Sequence, residues 1–153
     1  MDDVFRELYQ EIILDHNKNP RHFGVPDSYT HSAEGYNPLC GDKVHVFLTV
    51  RDGKIDSISF KGEGCAISKA SASVMTTLLT GMPLAEAHAL MKRFVEVVTG
   101  PMDGIVDIDE ERFGQLLAFV GVREFPARVK CATLAWHAME AALKQGEGSV
   151  TTE

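Results

Sequence analysis

An α+β domain, a small antiparallel three-stranded sheet packed against several helices, is what the sequence predicts, and three observations predict it. Val44, Val46, Leu48 and Val50 alternate with Lys43, His45, Phe47 and Thr49, which gives a strand with one apolar face, and Asp52-Gly53 then turns the chain back into a second strand. Four longer stretches carry apolar residues at helical spacing. The 153 residues show no internal repeat and suit one domain, which buries roughly 70% of its unfolded surface.

The first helix is expected over Asp2 to Asn17, where Val4, Leu8 and Ile12 recur every four residues beside Phe5, Tyr9 and Ile13; Asn19-Pro20 stops it. Arg21 to Leu39 is rich in breakers, Gly24, Pro26, Gly35 and Pro38, with a short edge strand expected at Ser28 to Glu34. The strand after the hairpin, Lys54 to Phe60, puts Ile58 and Phe60 on one face, although Ile55 breaks the alternation. Ala66 to Leu79 is helical, with Ile67, Ala70, Val74 and Leu78 in register and Gly81 and Pro83 to end it. A further helix runs from Leu84 to Thr99 and closes at Gly100-Pro101. An acidic linker through Asp109 precedes a short helix at Glu110 to Phe119, which Asp107 and Glu110 would cap. The last helix has Pro126 near its first position, then Val129, Leu134, Met139 and Leu143, and Gly146 where it stops. These boundaries make residues 1–145 one domain and 146–153 a flexible, polar C-terminal tail.

Composition narrows the function. Acidic residues outnumber basic ones 22 to 15, so a net charge of -7 offers nucleic-acid phosphates no basic surface, and a protein partner is expected instead. The N-terminal residues lack a basic stretch followed by an apolar one, and no apolar run reaches membrane-spanning length, so a cytoplasmic location without a membrane segment is expected. Three cysteines are too few and too widely spaced for a disulfide framework, which leaves them as reduced thiols.

Cys40-Gly41-Asp42 enters the first hairpin strand and Cys65 follows the second, so the antiparallel return brings these three to one end of the sheet. Cys131, early in the last helix, joins them if that helix packs its first turns against the same end. A thiol near a helix N-terminus is biased toward the thiolate, and Arg128 and Lys130 add positive charge. Three thiolates and a carboxylate suit tetrahedral zinc. There is no C-x-x-C pair, and the six histidines, His16, His22, His31, His45, His88 and His137, have no ligand spacing to the cysteines, so they read as structural or surface residues.

Longer strings carry a family resemblance. Asp15-His16-Asn17-Lys18-Asn19-Pro20-Arg21, Cys40-Gly41-Asp42, Gly62-Glu63-Gly64-Cys65-Ala66-Ile67-Ser68 and the stretch from Phe125 to Trp136 around Lys130-Cys131-Ala132 resemble the SufU-type members of the IscU-like (NifU N-terminal) superfamily over nearly the whole chain. The resemblance implies that Cys40, Asp42, Cys65 and Cys131 bind Zn2+ and that Cys40 accepts a persulfide from a SufS-type cysteine desulfurase, feeding iron–sulfur cluster assembly with downstream SUF scaffold proteins as further partners. Such a protein is a sulfurtransferase that acts as co-substrate and activator of the desulfurase. Scaffold members of the superfamily carry a histidine before the last cysteine, where Lys130 stands here, and the stretch from Gly100 to Asp109 resembles the insertion of the SufU-like branch. The rival expectation is an IscU-like scaffold holding iron or a [2Fe-2S] cluster on the same residues; a second rival is a zinc-stabilised interaction module without chemistry. For a carrier, a desulfurase residue would have to replace Cys40 on the ion to free its thiolate, and Arg128 could steer the anionic sulfur.

Overall fold

Breakers and alternation translate into elements with few displacements. The computed structural model of the protein describes residues 3–100, 110–145 and 147–151. Helix α1 (Asp3–Lys18) ends just before Asn19-Pro20. Strands β1 (His31–Asn37), β2 (Asp42–Arg51) and β3 (Lys54–Glu63) then form the expected antiparallel meander. At the β2–β3 turn Asp52 and Gly53 both have positive φ, 54° and 73°, the combination that matches the twist of the flanking strands. The irregularity at Ile55 is a bulge. Thr49 pairs with Ser57 but Val50 with Ile55, so Asp56 is left over and Ile55 returns to the buried face with Ile58 and Phe60.

The expectation for β1 is corrected. β1 starts and ends three residues later than Ser28 to Glu34 and is an interior strand, since the order is β3-β2-β1-β4. Gly35, read as a breaker, lies inside it because the last helix comes so close that a Cβ there would stand 3.0 Å from Leu134 Cδ1 and 3.2 Å from Val44 Cγ1. Beside this antiparallel three-stranded sheet a further strand, β4 (Glu147–Thr151), pairs parallel to β1. Backbone pairing along a strand edge needs no hydrophobic alternation, and Glu-Gly-Ser-Val-Thr offers none to read.

Helices α2 (Ala66–Leu79) and α3 (Leu84–Thr99) have the expected bounds. The short helix does not. Only α4 (Glu110–Phe113) is α-helical, and a 3-10 helix continues over Gly114–Glu124, because Gly114 with φ 52° interrupts the right-handed turn. The acidic linker and its Asp107 cap lie outside the described residues. α5 (Pro126–Gln145) lies across β1 and β2 and against α2, burying Trp136 with Phe94 at 5.3 Å between ring centroids. Val44, Val46, Leu48, Ile58 and Phe60 supply the sheet side of this core. On the other sheet face Phe47 is buried all the same, under Tyr29 at 5.0 Å and stacked on His45 at 4.1 Å.

His16 ties three helical segments together. It is 1% exposed, with Nε2 donating to Gln115 Oε1 and Nδ1 accepting from the Ser73 hydroxyl, both at 2.7 Å, while Ser73 Oγ also accepts the Arg21 N–H. That network fits a neutral ring. Burial holds its pKa below the ordinary 6.5, with the hydrogen bond to Gln115 opposing. The unfolded chain therefore binds more protons than the folded one as pH falls below 6.5, so this stabilisation is complete above that value and is lost on acidification. His16→Ala is expected to cost about 2–3 kcal/mol, from the cavity and the stranded partners. In urea denaturation, the gap between wild type and His16→Gln should narrow between pH 7.5 and 5.5; a gap independent of pH would refute the neutral-ring assignment.

Candidate metal centre

Three elements and one loop deliver the sulfur-rich end of the sheet. The β1–β2 connection, Pro38 to Gly41, is held at its base by the paired residues Asn37 and Asp42, and it carries Cys40 out to solvent. Gly41, with φ 72°, makes the bend into β2. Asp42 then points inward and is 0% exposed, its Oδ1 accepting the backbone N–H of Cys65 at 2.7 Å. Cys65 is the N-cap of α2, where its sulfur accepts the Ser68 N–H at 3.4 Å and stands 3.7 Å from Asp42 Oδ2. The chain must pass Asp42 closely to do this. A Cβ on Gly64 would run into the Asp42 carboxylate and lie 2.9 Å from its Cα, at a φ of 150° that side-chain-bearing residues avoid.

Cys131 reaches the cluster because Leu134, one turn later on the same face of α5, packs into the space above Gly35. The condition left open by sequence is thus met. Cys131 Sγ lies 3.2 Å from Cys40 Sγ, and the Cys40, Asp42 and Cys131 donor atoms are all within 4.8 Å of one another. Cys65 stands just outside that tight triple but adjoins it through Asp42. Arg128 is exposed on the first turn of α5 and Lys130 is half-buried. No histidine joins the donor cluster among the described residues; His22 meets Thr76 and His88 meets Glu140 instead.

The electrostatics correct one expectation. The thiol favoured as an anion is Cys65, held down to about 7 chiefly by the hydrogen bond from Cys131, with burial opposing and the Ser68 N–H assisting. Cys131 moves the other way: donating that bond, and buried beside Asp42 and Cys40, it is driven well above the usual thiol range. It sits in the second turn of α5, past the reach of the N-terminal dipole, whereas Cys65 caps α2 directly. These directions belong to the metal-free cluster.

The residues fit a bound cation. Asp42 is a fully buried carboxylate with no ion pair among the described residues, surrounded by three sulfur donors, and an isolated buried charge is costly unless something positive balances it. Tetrahedral zinc with Zn–S bonds of about 2.3 Å separates two thiolates by about 3.8 Å. The Cys40–Cys131 sulfurs, at 3.2 Å, would part by about 0.6 Å to admit the ion, and the Cys65 Sγ to Asp42 Oδ2 distance of 3.7 Å suits a tetrahedral sulfur–oxygen edge of about 3.6 Å.

Asn37 is the participant the sequence did not reveal. It is 0% exposed, its Nδ2 donates to Cys131 Sγ at 3.6 Å, and its Oδ1 accepts the Leu39 N–H at 3.3 Å, so one amide holds both the Cys40 loop and the buried sulfur. In the sheet it pairs with Asp42, a register that the expected strand Ser28 to Glu34 did not reach. Asn37→Asp keeps the acceptor but replaces the donor with a charge, and should weaken metal retention about 10–100-fold in competition with a chromophoric chelator. Unchanged retention would make Asn37 a loop-packing residue only.

Residues 8–132 match the NifU-like N terminal domain family. The chain is 39% identical over 143 residues to the zinc-dependent sulfurtransferase SufU of Bacillus subtilis (strain 168), covering 92% of each. It is 38% identical to the iron-sulfur cluster assembly scaffold protein IscU of Streptococcus pyogenes serotype M1, over 90% of this chain and 84% of that one. Its fold superposes with a TM-score of 0.80 on a putative iron-sulfur cluster assembly scaffold protein for the SUF system from Fervidobacterium islandicum AW-1, at 34% identity and with 90% and 97% of the two chains covered.

Proposed function

This chain belongs to the NifU-like N terminal domain family, and on that premise we propose that it serves iron–sulfur cluster assembly as a zinc-dependent sulfur carrier, accepting sulfur on Cys40 from a SufS-type cysteine desulfurase in the cytoplasm. The observation that carries this reading is the division of labour inside the cluster: Cys40 is exposed, while Asp42 and Cys131, within 4.8 Å of it, are buried. Buried donors retain an ion; an exposed thiol can meet another protein's sulfur. Cys40, Asp42, Cys65 and Cys131 would hold the zinc, which when bound keeps its thiol ligands deprotonated at neutral pH.

Cys40 attacks the terminal sulfur of the donor's persulfide. A bond forms between Cys40 Sγ and that sulfur, the donor's S–S bond breaks, and the donor cysteine departs as a thiolate. Asn37 and the Asn37–Asp42 pairing hold the loop that presents Cys40. Among the described residues no helix is long and apolar enough to cross a membrane.

The near-equal identities to a named sulfurtransferase and a named scaffold keep the cluster-scaffold reading alive, and Lys130 in place of a histidine favours the carrier. Aerobic purification, metal counting and a visible spectrum separate the two, together with desulfurase turnover measured with and without the chain. Stoichiometric zinc, no colour and accelerated turnover are expected. Bound iron with a coloured cluster and no effect on turnover would replace the carrier by the scaffold.

A further inference from the structure

A sulfur–sulfur contact in the cluster joins two unlike thiols. Cys40 is exposed on its loop and Cys131 is 1% exposed, yet their sulfurs are 3.2 Å apart. Cys131 is thus shielded from any macromolecular donor while lying against the atom that would bear an acquired sulfur. Asn37 fixes the pair, its Nδ2 on Cys131 Sγ and its Oδ1 on the backbone of the Cys40 loop. Cys65 faces Asp42 Oδ2 at 3.7 Å and lies outside the tight triple that contains both Cys40 and Cys131.

We infer that Cys131 is a resolving thiol, which releases the sulfur held on Cys40 as hydrosulfide when the cluster is free of metal. As the anionic terminal sulfur takes up the Cys131 proton, Cys131 Sγ attacks Cys40 Sγ, the Cys40–Cys131 bond forms, and the bond from Cys40 Sγ to the terminal sulfur breaks. The terminal sulfur leaves as hydrosulfide, carrying the Cys131 proton. That sulfur gains the two electrons that the two cysteines give up in becoming a disulfide, so no outside reductant enters the step. Attack on the terminal sulfur would merely move the extra atom to Cys131 and release nothing. With the ion bound, both thiols are ligands and the step is held off. Each release closes the site until a dithiol reductant reopens it.

The inference rests on Cys40 as the sulfur acceptor, so its test loads the sulfur chemically. Full-length chain, reduced and stripped of metal with a chelator, is treated with inorganic polysulfide and desalted. Early alkylation and peptide mapping report whether Cys40 carries the sulfur, which tests the acceptor reading alone. Free hydrosulfide and intact mass under non-reducing conditions then follow its fate. The expected result is one hydrosulfide per loaded chain, a product two hydrogens lighter than the reduced protein, and a Cys40–Cys131 cross-link. Cys131→Ser should retain the added sulfur and release it at least about tenfold more slowly. A loaded wild type that keeps its extra sulfur, or a cross-link that involves Cys65, would overturn the inference. The wild-type peptide map decides even if Cys131→Ser does not fold.

Discussion

Cys40→Ser should lose sulfur acceptance altogether, bringing desulfurase turnover down to the rate of the desulfurase alone. A serine hydroxyl keeps the size of the side chain but supplies neither a thiolate nucleophile nor a good ligand for a soft site. The fold should tolerate it. Cys40 is exposed on a loop outside the hydrophobic core, so the metal-free variant should unfold within about 0.5 kcal/mol of wild type. Incubation with desulfurase and labelled cysteine, followed by alkylation and mass analysis, reads the effect directly. Label arriving on the serine variant would end the assignment of Cys40 as acceptor.

Gly64→Ala should damage the same site from beneath, without touching a donor atom. The backbone there has φ 150°, a region that costs a residue with a side chain of order 1–3 kcal/mol, and the added methyl collides with the Asp42 carboxylate and its Cα. Neither can retreat: Asp42 is buried and bonded to the Cys65 N–H. The expected outcome is a loss of about 3 kcal/mol or more, a melting midpoint lowered by roughly 10 °C, and a chain purified without metal. Gly41→Ala is the control for strain alone, since φ there is 72° but nothing lies within 4 Å of the added Cβ. It should cost about 1–2 kcal/mol and leave the cluster able to bind. If the two variants behaved alike, the close approach at Gly64 would not matter.

Much of this is legible in the sequence. Gly81 with Pro83, and Gly100 with Pro101, punctuate the helical periodicity so sharply that α2 and α3 need no adjustment. The hairpin argument placed Cys40, Asp42 and Cys65 together because an antiparallel return is local geometry. What escaped depended on distant packing. Gly35 reads as a breaker until Leu134 is seen above it, and that one contact both extends β1 and brings Cys131 over the strand ends. Nothing in the sequence singles out Asn37; only burial beside a sulfur gives it a role. β4 pairs through its backbone with an edge that the side chains do not announce. The helix dipole favours Cys65 and not Cys131, because the field decays within the first turn and Cys65 is the thiol at a helix start.

Strand β1 is gripped on both flanks, by β2 and by β4, and only the four residues from Pro38 to Gly41 separate its paired end from β2. A loop that short can lift its tip by roughly 7 Å at most. A carrier built this way has no swinging arm. On the function proposed above, sulfur held on Cys40 would not be ferried from one face of the molecule to another, so donor and recipient would take turns over the same patch, and delivery should follow ping-pong kinetics in which a large excess of either visitor inhibits by occupying the other's berth.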